Sequence, residues 1–151
     1  MSQSCADLFT PTLQKTDAWL NDLMLELSLE PSLDNKHKAY SAMRAVLHAL
    51  RDRLSVDVVA HFSAQLPMLI RGFFFEGWHP AGTPLKIRNM EDFLDLVCQY
   101  AHDTPFIVQN TEDIARSVFM VLCKHLGGEM DKLKLTLPEQ VTRLWPAAYL
   151  V

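Results

Sequence analysis

Glycine is scarce in this chain, five among 151 residues. No G-x-x-x-x-G-K-[ST], G-x-G-x-x-G or G-x-S-x-G pattern occurs, which excludes the phosphate-cradling loop, the dinucleotide turn and the nucleophile elbow. Cysteine is equally sparse. Cys5, Cys98 and Cys123 are odd in number and include no C-x-x-C pair, so a disulfide framework is not expected and a reducing compartment fits better. Cys98 and Cys123 sit in apolar runs and read as small buried hydrophobes rather than nucleophiles. Excess positive charge is absent too: the net charge is −4, which gives no long-range pull toward nucleic acid or an anionic membrane. The longest apolar tract, residues 56–75, is interrupted by Asp57, His61, Gln65, Pro67 and Arg71 and cannot span a membrane. The first residues, MSQSCADLFTPTLQ, show neither a basic n-region nor an apolar h-region, so no signal peptide is expected. A soluble cytoplasmic protein is the reading.

What the chain has is helical pattern. In KAYSAMRAVLHALRDRL, Ala39, Met43, Val46, Leu47, Leu50 and Leu54 recur at three- and four-residue steps, which leaves Arg44, His48, Arg51 and Asp52 for an opposite, charged face. An earlier helix runs from about Thr16 through Trp19, Leu20, Leu23, Met24 and Leu27. Another carries Phe93, Leu94, Val97 and Tyr100, with Asn89 as cap and Asp92 at the return position of a capping box. Sustained apolar–polar alternation is missing, so the fold class is all-α.

The helices are written twice. AMRAVLHALRDRL (42–54) lies over IARSVFMVLCKHL (114–126), with Arg44 on Arg116, Val46 on Val118, Leu50 on Leu122 and Leu47 on Phe119. After a one-residue loss, FSAQLPMLIRGFF lies over LKLTLPEQVTRLW, with Leu66-Pro67 on Leu137-Pro138. Each proline belongs to the first turn of a final short helix, and TLPE places Thr136 to cap it while Glu139 answers. Neither half is large enough to bury a core alone. The expected architecture is a pseudo-symmetric helical bundle of two repeats on a shared core. Its parts are a flexible N-terminal tail (1–15), repeat one (16–78), a linker (79–89), repeat two (90–146) and a C-terminal tail (147–151), in one globular unit.

The segment KAYSAMRAVLHALRDRLSVDVVAHFSAQLPMLIRGFFFEGWHP, with IRNMEDFL and a terminal RLWP, resembles the bacterial DUF2267 family. The resemblance runs from about Thr16 to Pro146. It implies an all-helical protein of two related halves, with a loose association to stress, and it transfers no catalytic residues.

Candidate sites follow from composition. Residues 15–34 carry Asp17, Asp22, Glu26, Glu30 and Asp34 against Lys15. Residues 36–54 carry Lys36, Lys38, Arg44, Arg51 and Arg53 against Asp52. The two segments are expected to lie side by side and neutralise each other, and the basic helix face (Lys36, Lys38, Arg44, Arg51) is a candidate docking surface. The second candidate is RGFFFEGWHP (71–80), with Arg71, Phe74, Phe75, Glu76, Trp78 and His79 as binding residues. Glu76-Gly-Trp-His79 is a single E-x-x-H, but a helix ended by Gly77 and Pro80 does not hold a metal on it; no metal or cofactor is expected. Glu76 is expected to pair with Arg71 or Arg88, or to cap backbone N–H groups. Gly77 is expected to close a Schellman motif in which Phe73 touches Trp78. Without a nucleophile, base or metal set, the functional expectation is a non-enzymatic interaction or regulatory module that binds a protein or itself. The alternative is a small-molecule pocket between the halves, lined by Phe73–Phe75, Trp78 and Met or Tyr side chains.

Overall fold

The computed structural model describes residues 4–147, and among these every regular element is helical. The chain opens with α1 (Cys5–Leu8) and α2 (Thr10–Glu26), so helix begins at Thr10 and not at Thr16. Pro11 near the start of α2 supplies the reason: its fixed φ and missing N–H suit a first turn, and residues expected as tail become helix. The tails' outermost residues, 1–3 and 148–151, lie outside the described residues.

The longest helix, α3 (Leu33–Arg53), starts at Ser32, whose hydroxyl accepts from Asn35 N at 3.0 Å. Next come α4 (Val56–Ser63), capped by Ser55 through Val58 N, and α5 (Met68–Phe75), entered through Pro67. A linker containing one 3-10 turn (Pro80–Gly82) leads to α6 (Met90–Tyr100). Asn89 caps α6 as expected, accepting from Asp92 N at 2.7 Å. The return bond differs, because Asp92 accepts from the Asn89 side-chain amide rather than from its backbone. Pro105 starts a short helix that the sequence pattern missed, α7 (Pro105–Gln109), and α8 (Thr111–Leu126) and α9 (Gly128–Lys134) follow. The last, α10 (Glu139–Thr142), has Pro138 at its N-cap. Thr136 does not cap it; the hydroxyl donates backward to Leu133 O at 2.7 Å.

Helix α3 is the hub and packs against α2, α5, α6 and α8; α8 in turn packs against α2, α6 and α9. Alanines 39, 42, 45 and 49 are fully buried on α3, and their small side chains let neighbouring helices come close on several sides at once. Around them lie Leu23, Met43, Leu47, Leu50, Val118 and Leu122, all fully buried. At one end Trp145 stacks on Phe119, with centroids 4.6 Å apart, and Phe93 continues the stack; at the other Phe74 packs on Phe62.

The expected neutralisation of acidic and basic segments is present only in part: Lys36 pairs with Asp17 and Lys38 lies near Asp34, while Asp22 pairs with Lys124 and His125 of α8. The expected charged face of α3 is not. His48, Arg51 and Asp52 are buried, the first two with 1% of their surface exposed. With neighbours on several sides, the last two turns of α3 leave only Arg53 part-exposed, and these polar groups bond inside the fold instead.

Candidate functional site

Those three residues form a buried clasp under the C-terminal end of α5. His48 Nε2 donates to Phe73 O at 2.7 Å, which fixes the tautomer with its proton on Nε2. Arg51 Nη1 donates to two further carbonyls of that end, Phe74 O at 2.9 Å and Glu76 O at 2.8 Å. Its Nε donates to Asp52 Oδ1 at 2.8 Å, and Nη2 reaches the Tyr100 hydroxyl at 3.3 Å. Tyr100, from the end of α6, donates to Asp52 Oδ2. A cation at a helix C-terminus satisfies orphan carbonyls and the negative end of the dipole together. Burial, then the Arg51 and Arg44 charges, depress the His48 pKa to about 4 despite its bond to Phe73 O, so the ring is neutral near pH 7. Burial and then the bond to Asp52 raise that of Tyr100.

This clasp changes how α5 stops. Glu76 has φ −57° and ψ 127°, Gly77 has φ +73°, and Trp78 N donates to Phe75 O at 3.1 Å. That is a type II turn, with glycine at the position that needs positive φ, and not the expected Schellman motif. The physical reason is that His48 and Arg51 already bond the Phe73 and Phe74 carbonyls that the motif would use. The ring contact shifts accordingly: Trp78 packs on Phe75, 5.3 Å between centroids, rather than on Phe73.

The candidate residues therefore separate. Phe74 is core. Phe75 and Trp78 are half-buried against each other. Arg71 is exposed and donates to Leu66 O, and His79 is exposed at the start of the 3-10 turn. Glu76 pairs with neither Arg71 nor Arg88: its carboxylate is solvent-facing and stands 3.8 Å from Arg44 Nε. Of the basic face, Lys36 pairs with Asp17, Lys38 lies near Asp34 and over the Phe106 ring, and Arg51 is internal. Arg44 alone of the four opens onto a concavity.

That concavity, of about 410 Å³, lies between α3 and the C-terminal end of α6. His37, Tyr40 and Arg44 form one wall, Tyr100, His102 and Asp103 the other, and Glu76 closes one end. The sequence reading missed it because its walls come from segments about sixty residues apart with no shared motif. A smaller one, about 190 Å³, lies between α4 and α9 over Val58, Phe62 and Leu133. No three His, Cys, Asp or Glu among the described residues group as a metal site. Among the same residues no helix is long and apolar enough to cross a membrane.

These features define an all-α protein with an internal polar clasp and an open polar concavity beside it. The chain belongs to the DUF2267 family, described as an uncharacterized conserved protein family, whose model matches residues 16–144. No curated protein matches the chain.

Proposed function

We propose that this protein is a non-enzymatic, cytoplasmic, bacterial interaction module of regulatory role, built as two pseudo-symmetric repeats, that engages a protein partner or a second copy of itself. The stress link rests on family resemblance alone. The repeat reading is supported by the reciprocity of the packing. Exchanging the halves turns the α3–α6 contact into the α8–α2 contact and leaves α3–α8 and α4–α9 unchanged. A non-catalytic role is supported by the clasp, whose ionisable groups are taken up by one another and by main-chain carbonyls.

The observation that carries the interaction reading is an apolar cluster at the start of α2 and α5. Leu69 N donates to Thr12 Oγ1 at 3.3 Å, which brings the two first turns together. Around that bond Leu8 (74% exposed), Phe9, Leu13, Met68 (55%) and Leu69 all face solvent. Large side chains left exposed together mark contact surfaces. Sedimentation over a wide concentration range, with native mass spectrometry of protein from its own host, tests this. A concentration-dependent mass or a co-purifying protein is expected, lost in Leu13→Glu/Met68→Glu at unchanged helicity. A chain that stays monomeric and bare in both experiments overturns the reading.

The concavity at Arg44 favours a second reading, a small-ligand site between the halves. Its rings include Tyr40 and Tyr100, of the tyrosine kind the alternative allowed for, but not Phe73–Phe75 or Trp78, which pack into or against the core.

A further inference from the structure

We infer that the concavity at Arg44 binds a small zwitterion, a molecule carrying a carboxylate and an ammonium a few bonds apart, as a free α-amino acid does; this rests on the second reading above. Arg44 is the first ground. It makes no hydrogen bond among the described residues, and its one ion pair, to Glu76 at 3.8 Å, is longer than a hydrogen bond. Arg116, which falls on Arg44 when the two helices are aligned, is engaged differently: Nε donates to Glu112 at 3.1 Å and Nη1 to Arg143 O at 2.8 Å. Two arginines at matching places thus differ in one respect. Both line concavities, but the guanidinium of Arg116 is tied into the fold whereas that of Arg44, on a side chain 35% exposed, keeps its donors free of hydrogen bonds, in the form that suits a carboxylate.

Charge sign then narrows the class. The fixed charges are Arg44 on one wall, the carboxylate of Asp103 on the other and that of Glu76 at one end. A simple anion meets two carboxylates, and a simple amine meets the guanidinium. A ligand that carries both signs opens the loose Arg44–Glu76 contact and replaces it with two shorter ones. Its carboxylate lies on Arg44 and its ammonium on Glu76. The ring of Tyr100, whose hydroxyl is taken up by Asp52, and the ring of Tyr40, held edge-on by Phe73 at 5.3 Å, flank the body of the ligand. At about 410 Å³ the space holds a molecule of amino-acid size.

The clasp supplies rigidity to the closed end and to the Tyr100 wall. Arg51 grips the Glu76 carbonyl on one side, and Asp52 holds the Tyr100 hydroxyl on the other. Polar groups mounted on such a support lose little freedom on binding.

Isothermal titration calorimetry of the full chain tests the inference with L-leucine, L-glutamine, and the N-acetyl acid and methyl ester of each. The expected result is binding of at least one parent amino acid, weakened about tenfold or more by removal of either charge. Arg44→Gln and Glu76→Gln, both on solvent-accessible side chains, are expected to weaken the parent similarly at unchanged melting temperature. Equal binding of the N-acetyl acid or the ester overturns the zwitterion assignment while leaving a small-ligand site standing. Absence of binding for both amino acids at millimolar concentration overturns the inference, and a thermal-shift panel of metabolites then decides the broader reading on its own.

Discussion

Replacing Arg51 with methionine removes the guanidinium at the centre of the clasp and keeps an unbranched apolar stem. Four hydrogen bonds go: to Asp52 at 2.8 Å, Phe74 O at 2.9 Å, Glu76 O at 2.8 Å and the Tyr100 hydroxyl at 3.3 Å. Water can reach the Glu76 carbonyl, since that residue is exposed, but the Phe74 carbonyl and the Asp52 carboxylate are left in the interior. Removing one partner of a buried ion pair costs about 3–5 kcal/mol. Against a total stability of about 5–15 kcal/mol for a domain, this is a large fraction. At about 2–4 °C per kcal/mol for a chain this size, the thermal midpoint should fall by roughly 6–20 °C. Urea titrations followed by circular dichroism and by tryptophan fluorescence measure the change directly. Arg51→Met/Asp52→Leu should cost less than the sum of the two single variants, because it also deletes the stranded carboxylate. A loss below about 1 kcal/mol for Arg51→Met, or strict additivity in the double variant, refutes the view that an ion pair closes the end of α5.

His48 makes stability depend on pH in a known direction. The native ring, held neutral down to about 4, binds no proton where the unfolded ring, at 6.5, already does. Its contribution therefore declines as pH falls from about 6.5 to about 4, by roughly 3 kcal/mol in all, and is flat below. Urea midpoints at several pH values should show a shallower acid slope in His48→Gln, which keeps a donor for Phe73 O. The two exposed glycines of the α5 end should respond oppositely to alanine. Gly77→Ala, at φ +73° with open space around it, should lose about 1 kcal/mol from backbone strain alone. Gly72→Ala, mid-helix and equally unhindered, should gain up to about 1 kcal/mol, both read from denaturant midpoints. Timed alkylation at pH 8 should label exposed Cys5 quickly and Cys123 only through opening of the fold, since Cys123 is buried and its thiol is pushed up to about 11, chiefly by that burial.

Helix positions were legible because periodicity reports burial directly: the α3 residues spaced at three and four are buried, and Asn89 caps α6 as its hydrogen-bonding chemistry suggests, while the caps Ser32 and Ser55 went unread. What periodicity could not say is how many sides of a helix are covered. It assigned His48, Arg51 and Asp52 to solvent because they are polar, yet the helices packed around α3 cover that side of its end as well. Their partners Phe73, Phe74 and Glu76 lie 23–25 residues away and offer main-chain carbonyls, which carry no side-chain signature. For the same reason the stop at Gly77 was placed at the right residue but given the wrong turn. The concavity at Arg44 needed the three-dimensional juxtaposition of α3 with the end of α6, and only Arg44 and Glu76 on its walls were among the residues singled out from sequence.

Tyr100 belongs to the second half of the chain, yet its hydroxyl completes the polar set of the first. The polar set under α5 is thus closed by a residue 48 positions beyond Asp52 along the chain, so the segment before residue 79 should not hold that set together alone. Cut within residues 79–89, the two fragments should behave as a split protein: unstructured apart, and reassembling without a covalent link when mixed.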